Sequence, residues 1–164
     1  MIPNLNCYAQ AATLSLCLAA LPAQAEMTFA AKDLLSAPET ALGGAIIACA
    51  AATLDPATAT TTFTDAGWQS FEDYDGTTSW EQGDIWTTYW TDPGFCMVAD
   101  ESIGTAEMEQ TLLGLTDAAP ATGTDEDGCT TYDLGPVVAT LTSSGNDPVC
   151  EFDTGAALRF EPKE

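Results

Sequence analysis

The sequence predicts an α+β fold: a two-layer antiparallel sheet with helices on one face, built from an internally duplicated α-β-β-β unit behind an extra N-terminal helix. Three observations carry that prediction. A stretch of sequence recurs 52 residues further on. Apolar residues fall at helical spacing before each copy and alternate along the chain after it. Four cysteines remain once an N-terminal leader is set aside, which suits a small exported domain held by disulfides.

The recurrence is the firmest of the three. Thr64-Asp65-Ala66 returns as Thr116-Asp117-Ala118, and Asp73-Tyr74-Asp75-Gly76 returns as Asp125-Glu126-Asp127-Gly128. Over 64–83 against 116–135, eight of twenty positions are identical and four more are close substitutions, all in one register without a gap. Such self-similarity reads as duplication. Copy one is expected at about 53–100 and copy two at about 105–153.

Residues 1–25 read as a secretory signal peptide, although they contain no Lys or Arg. An apolar run over 11–21 precedes Pro22-Ala23-Gln24-Ala25, a small-x-small cleavage site. The run is shorter than the ~20 apolar residues a membrane span needs. Leu14-Ser15-Leu16-Cys17 puts a bulky Leu where a lipoprotein leader carries a small residue, which argues against a lipoprotein. The remainder, 26–164, is expected to be a single acidic domain, periplasmic or secreted, with no membrane anchor.

Taken in order, Ser36-Ala37-Pro38-Glu39 looks like a capping box with Pro in the first turn. Leu42, Ala45, Ile46 and Cys49 then lie at i, i+3, i+4, i+7 and form one apolar stripe. Asp55-Pro56 opens a second helix with Ala59, Phe63 and Ala66 inward and Gly67 as its stop. Thr105 is expected to cap a third, with Glu107 and Glu109 near its N-terminus and Met108, Leu112 and Leu115 buried. Alternating Thr-rich, aromatic and β-branched segments predict strands at 77–81, 85–90 and 95–99 and again at 130–133, 137–142 and 149–152. A last strand at 156–160 closes the sheet.

Cys7 and Cys17 fall in the leader, leaving Cys49, Cys96, Cys129 and Cys150. Phe95-Cys96-Met97-Val98 and Val149-Cys150-Glu151-Phe152 look like matching points of the two copies, after a turn about two residues longer in the second. That match favours Cys49–Cys96 and Cys129–Cys150 among the three pairings. In a simple meander Cys129 and Cys150 would sit two strand spacings apart, roughly 9–10 Å, beyond disulfide reach. The pairing therefore requires Cys129 in a strand's entry loop or a different strand order.

The repeated Asp-x-Asp-Gly admits two readings. Asp73, Asp75 and Glu81, with Asp125, Asp127 and Asp133, resemble part of an acidic calcium loop. The EF-hand pattern is not met, because Phe71 and Gly123 would stand at its first position and Gln82 and Leu134 at its twelfth. Asp-Gly is equally a hairpin-turn signal, with Asp capping nearby backbone N–H groups. No cofactor is expected beyond that weak calcium alternative.

Aromatic residues concentrate in copy one, where Trp68, Trp80, Trp86 and Trp90 fall close together. Alternation puts Trp86, Thr88 and Trp90 on one face of a strand and Ile85, Thr87 and Tyr89 on the other. Trp80, Trp86, Tyr89 and Trp90 are the candidate binding residues, because the matching strand of copy two carries Val138, Thr140 and Thr142 instead. An aromatic row rimmed by acids suits a sugar, a cationic small molecule or a basic protein groove.

Composition removes other classes. Acids number 25 against Lys32, Arg159 and Lys163, and the net charge is −22. That field disfavours nucleic acid and self-association, so a monomer is expected. There is no His, which excludes Ser-His-Asp and Cys-His nucleophiles and imidazole zinc sites. The expected function is a non-catalytic, exported, disulfide-stabilised binding domain. A calcium-dependent structural module is one alternative. In layout alone, a duplicated helix-plus-strands unit with two disulfides resembles secreted bacterial inhibitors of other proteins, the β-lactamase inhibitory proteins among them. No motif is shared; the resemblance implies an inhibitor as a further alternative.

Overall fold

Pro38 fixes φ at the start of a 3-10 turn, Pro38–Thr40, which leads into the first long helix. The computed structural model describes residues 34–72, 77–92, 94–143, 150 and 154–164. The expected capping box is replaced by this turn, since Ala37 holds the N-cap position without a side-chain hydrogen bond. Thr40 fastens the turn instead, its Oγ1 donating to the carbonyls of Leu34 at 2.7 Å and Ala37 at 3.2 Å.

Helix α1 (Ala41–Leu54) is buried on nearly every side, eleven of its fourteen residues lying inside. One apolar stripe was the expectation; Ala and Gly account for the difference, because they let neighbours approach on several faces. A Cβ on Gly44 would lie 2.6 Å from the backbone N of Leu35, and one on Gly43 would lie 3.4 Å from Leu115. Helix α2 (Pro56–Asp65) follows with Ala59 and Phe63 buried and stops at Gly67, φ +82°. Helix α3 (Thr105–Gly114) has Gly104 rather than Thr105 at its N-cap, and buries Met108 and Leu112, with Leu115 just beyond its end.

Eight strands form one antiparallel sheet: β1 (Gln69–Glu72), β2 (Thr77–Gln82), β3 (Ile85–Trp90), β4 (Phe95–Gly104), β5 (Ala121–Thr124), β6 (Thr130–Asp133), β7 (Val137–Thr142) and β8 (Thr154–Pro162). Their order is β1-β2-β3-β4-β8-β7-β6-β5, so two four-stranded meanders meet where β4 pairs with β8. Each meander is one strand longer than expected. The added strands, β1 and β5, lie at the sheet's edges, and β5 is exposed along its whole length. With no buried face to impose, Ala-Thr-Gly-Thr carries no period-2 apolar signal. Of the strand expected at 149–152, only Cys150 is described, and it is not in a strand. The strand read at 156–160 as a closing addition is β8, the fourth strand of the second meander and a central strand of the sheet.

The two meanders share a register. Gln69↔Glu81, Trp80↔Thr87 and Glu81↔Trp86 in the first correspond to Ala121↔Asp133, Tyr132↔Ala139 and Asp133↔Val138 in the second, each 52 residues on. Continuing, Tyr89 pairs with Cys96 and Leu141 with Leu158, so Leu158 occupies the place of Cys96. The expected match of Cys96 with Cys150 is therefore corrected. Trp90↔Phe95 closes over 91–94, whereas Thr142↔Ala157 closes over 143–156, a connection ten residues longer rather than two. Cys150 lies in that longer connection.

Both disulfides follow from this arrangement. Cys49 of α1 bonds Cys96 of β4, with Cα atoms 5.3 Å apart, and fastens helix to sheet. Cys129 sits just before β6, and at 4.8 Å it reaches Cys150. The entry-loop position removes the distance problem that a mid-strand cysteine would face.

α1 packs across β3, β4, β8 and β7, and α3 across β4, β8 and β7. The core is made by alternate strand residues, among them Trp80, Ile85, Tyr89, Cys96, Val98, Ala139, Leu158 and Phe160, with Ile46, Phe63, Met108 and Leu112 of the helices. Phe63 is its aromatic hinge, stacked on Trp80 at 4.9 Å and edge-on to Trp68 at 5.1 Å.

Candidate functional site on the far face of the sheet

The intervening strand residues point the other way, to the far face, and Thr88, Thr140 and Thr142 among them are buried as well. A smaller cluster lies there: Met97, Ala99 and Ala157 are buried, with Trp86 and Trp90 packed against them. Pairing across the sheet aligns one row from Phe71 through Ser79, Thr88, Met97, Arg159, Thr140 and Thr131 to Gly123. Ser79 and Thr88 hydrogen-bond within it, 2.9 Å apart.

Three planar groups stack across adjacent strands. Trp90 of β3 lies on Phe95 of β4 at 4.3 Å and 18°, and the Arg159 guanidinium of β8 sits 4.1 Å above the Phe95 ring. Glu161 accepts from Arg159 Nη2 at 2.7 Å. The guanidinium is thus held flat by an aromatic face on one side and a carboxylate at its end. Trp90, Phe95, Met97 and Arg159 line a cleft of about 300 Å³.

The four binding candidates divide between the two faces. Trp80, 1% exposed, and Tyr89, 6% exposed, point to the helices and are core residues. Trp86 and Trp90 lie half-buried on the far face. Phe71, Phe95, Met97 and Arg159 join them there without having been singled out from sequence. A signal existed for two of these: once Cys96 is bonded to a helix, alternation turns Phe95 and Met97 away from it.

The acidic candidates do not converge. Asp73 and Asp75 lie outside the described residues. Glu81 is exposed on β2. Asp125 Oδ1 accepts from the backbone N–H groups of Asp127 at 3.1 Å and Cys129 at 2.8 Å, the local capping role of a turn. Asp127 is exposed beside it. Asp133 accepts from Lys163 Nζ at 2.6 Å and from the Gly135 N–H at 3.0 Å, and these bonds, Lys163 first, hold its carboxyl below the usual range. Among the described residues no three His, Cys, Asp or Glu side chains gather as a metal site would require.

On the helix side, Ile47, Ala50, Leu54, Leu134, Pro136 and Val137 border an apolar groove of about 350 Å³. Tyr132 lies buried near there on β6 and donates to Glu109 Oε1 of α3 at 2.7 Å. Burial, and then the Glu109 carboxylate, push its phenol well above the ordinary value; burial alone raises Tyr89.

No family model, curated protein or solved structure matches the chain. Among the described residues no helix is long and apolar enough to cross a membrane. Two disulfides fit an oxidising compartment, extracellular or periplasmic.

Proposed function

We propose that this is an exported, non-catalytic binding domain that engages a partner through the far face of its sheet, at Trp86, Trp90, Phe95, Met97 and Arg159. One observation carries the reading. Under the 52-residue register, which supports an internal duplication, the places of Trp86, Trp90, Phe95 and Met97 are taken in the second meander by Val138, Thr142, Ala157 and Arg159. The same strand geometry is therefore built without aromatics. Trp86 and Trp90 cover the small buried cluster of Met97, Ala99 and Ala157, yet stay half-exposed, and half-exposed indoles carry a cost in water that a binding surface recovers.

In that reading the helices form one layer and the sheet the other, and the second unit runs on to Pro162. Met97 and Arg159 are equivalent and pair with each other, so the relation between units is a two-fold passing between them. The stacked cleft lies beside that axis and belongs to the first unit. An inhibitor of an exported enzyme is one form such a binder takes.

The second unit supplies the test. Trp86→Val with Trp90→Thr installs residues the equivalent strand already carries. The immobilised chain is offered the periplasmic or culture-medium fraction of its source, and capture is compared with wild type and with Leu54→Asp on the helix side. Capture by wild type and Leu54→Asp, lost in the tryptophan variant with its melting temperature kept, is the expected result. Undiminished capture by the tryptophan variant refutes the reading.

A further inference from the structure

We infer that the partner of this face is a basic protein surface, which seats an apolar side chain in the Trp90–Phe95–Met97–Arg159 cleft and sets Lys or Arg residues against carboxylates bracketing β3. This rests on the binding role proposed above and adds the chemistry of the partner.

The first argument is size. Phe71 on β1 and Arg159 on β8 stand four strand spacings apart, ~19 Å, and Trp86 to Trp90 covers ~14 Å along β3. One sugar ring or metabolite covers a fraction of that area. It suits the apolar centre of a protein interface of ~800 Å² per partner. The 300 Å³ cleft admits one or two inserted side chains, the arrangement of a buried anchor.

Charge supplies the second argument, independent of the first. Glu81 pairs across to Trp86, Asp84 occupies the turn before β3, and the Glu101 N–H bonds the Asp84 carbonyl, so three exposed acids mark the Trp86 end. Exposed Asp92 lies in the turn after Trp90 at the other end. The described cations lie on or just after β8: Arg159 paired to Glu161 and Lys163 paired to Asp133. The first unit's half of the face thus presents indoles between carboxylates, in a chain carrying 25 acids against three bases. An acidic partner would be repelled by that field, and a basic one is steered onto it.

A phage-displayed library of random twelve-residue peptides tests this without knowledge of the partner. Panning on the intact disulfide-bonded chain is expected to recover sequences enriched in Lys and Arg around an aliphatic or aromatic residue. Their binding should weaken at least ~10-fold between 50 and 300 mM NaCl. It should weaken several-fold with Glu81→Gln plus Asp92→Asn, and disappear with Trp86→Val plus Trp90→Thr. Neutral or acidic peptides that depend on the tryptophans would overturn the basic partner and leave the face as the binding surface. Basic peptides retained by the tryptophan variant would show attraction to net charge alone and overturn both. Recovery of no peptide above background would do the same.

Discussion

Removing the two disulfides one at a time should cost different amounts. In the chain-entropy model, the cross-link restricts the unfolded chain by an amount that grows with the logarithm of the loop it closes. Cys49 and Cys96 are 47 residues apart, which gives ~4 kcal/mol at 25 °C. Cys129 and Cys150 are 21 apart, which gives ~3.3 kcal/mol. The loops neither overlap nor nest, so the two terms should add. Packing widens the gap in the same direction. Cys49 and Cys96 are both fully buried between helix and sheet, so Cys→Ala there also removes two buried sulfurs, whereas in the other pair Cys129 is buried and Cys150 is exposed.

Paired Cys→Ala variants, unfolded in urea under oxidising conditions, give both values directly. The Cys49/Cys96 variant should lose more stability by upwards of ~1 kcal/mol and the double-pair variant close to the sum. Under mild reductant, labelling should find Cys150 first. If the Cys129/Cys150 variant is the less stable of the two, loop length and burial do not govern these bonds and the reasoning fails.

Other consequences are equally specific. Gly44→Ala should destabilise by ~1–3 kcal/mol despite Ala's better helix propensity, because its Cβ would meet the Leu35 backbone; Gly114→Ala, with nothing within 4 Å, should be neutral or gain up to ~1 kcal/mol. Thermal melts of the two variants separate these outcomes, and equal effects would refute the steric account. Thr87 Oγ1 is buried and has no hydrogen-bond partner among the described residues, so Thr87→Val should be neutral or stabilising by up to ~1 kcal/mol in urea titration; a clear loss would reveal a partner. For Tyr132 the folded pKa is raised above the unfolded value of ~10, so its stabilising contribution is complete below pH ~10 and is lost as pH rises through the folded pKa. Tyrosinate absorbance should show one phenol ionising late, and Tyr132→Phe should abolish that component; its persistence would assign it elsewhere.

The hairpins and helix stops were legible because local chemistry decides them: Gly67 ends α2 at positive φ, and the β-branched and aromatic run Ile85–Trp90 forms a strand. What was not legible depends on distant pairing. β1 and β5 are short edge strands with no period-2 apolar signal, and their conformation comes from pairing with β2 and β6. The place of β8 between β4 and β7 follows from where the second meander turns, and the ten extra residues of its last connection misled the alignment of Cys96 with Cys150. Alternation separated Trp86 and Trp90 from Tyr89 correctly, but could not say which set meets the helices. The Cys49–Cys96 bond settles that: Cys96 must face α1, and Tyr89, its partner across β3, faces with it.

Comparing the meanders position by position shows why the far face is the informative one. On the helix side Trp80, Ile85 and Tyr89 correspond to Tyr132, Val137 and Leu141, large apolar groups exchanged for large or medium apolar groups, all still buried. Packing at interior density forces that, since a missing ring there would leave a cavity costing several kcal/mol. On the far side the exchanges are Trp to Val, Trp to Thr, Phe to Ala and Met to Arg, with side-chain volume falling by half or more at three of the four places. Met97, Thr142 and Ala157 among these are themselves buried, and Trp86 and Trp90 pack on the Met97, Ala99 and Ala157 cluster. That the bulk stays high in one meander and falls in the other is the ground on which the far face is proposed as a binding surface, and the stacked Trp90, Phe95 and Arg159 are its ordered part.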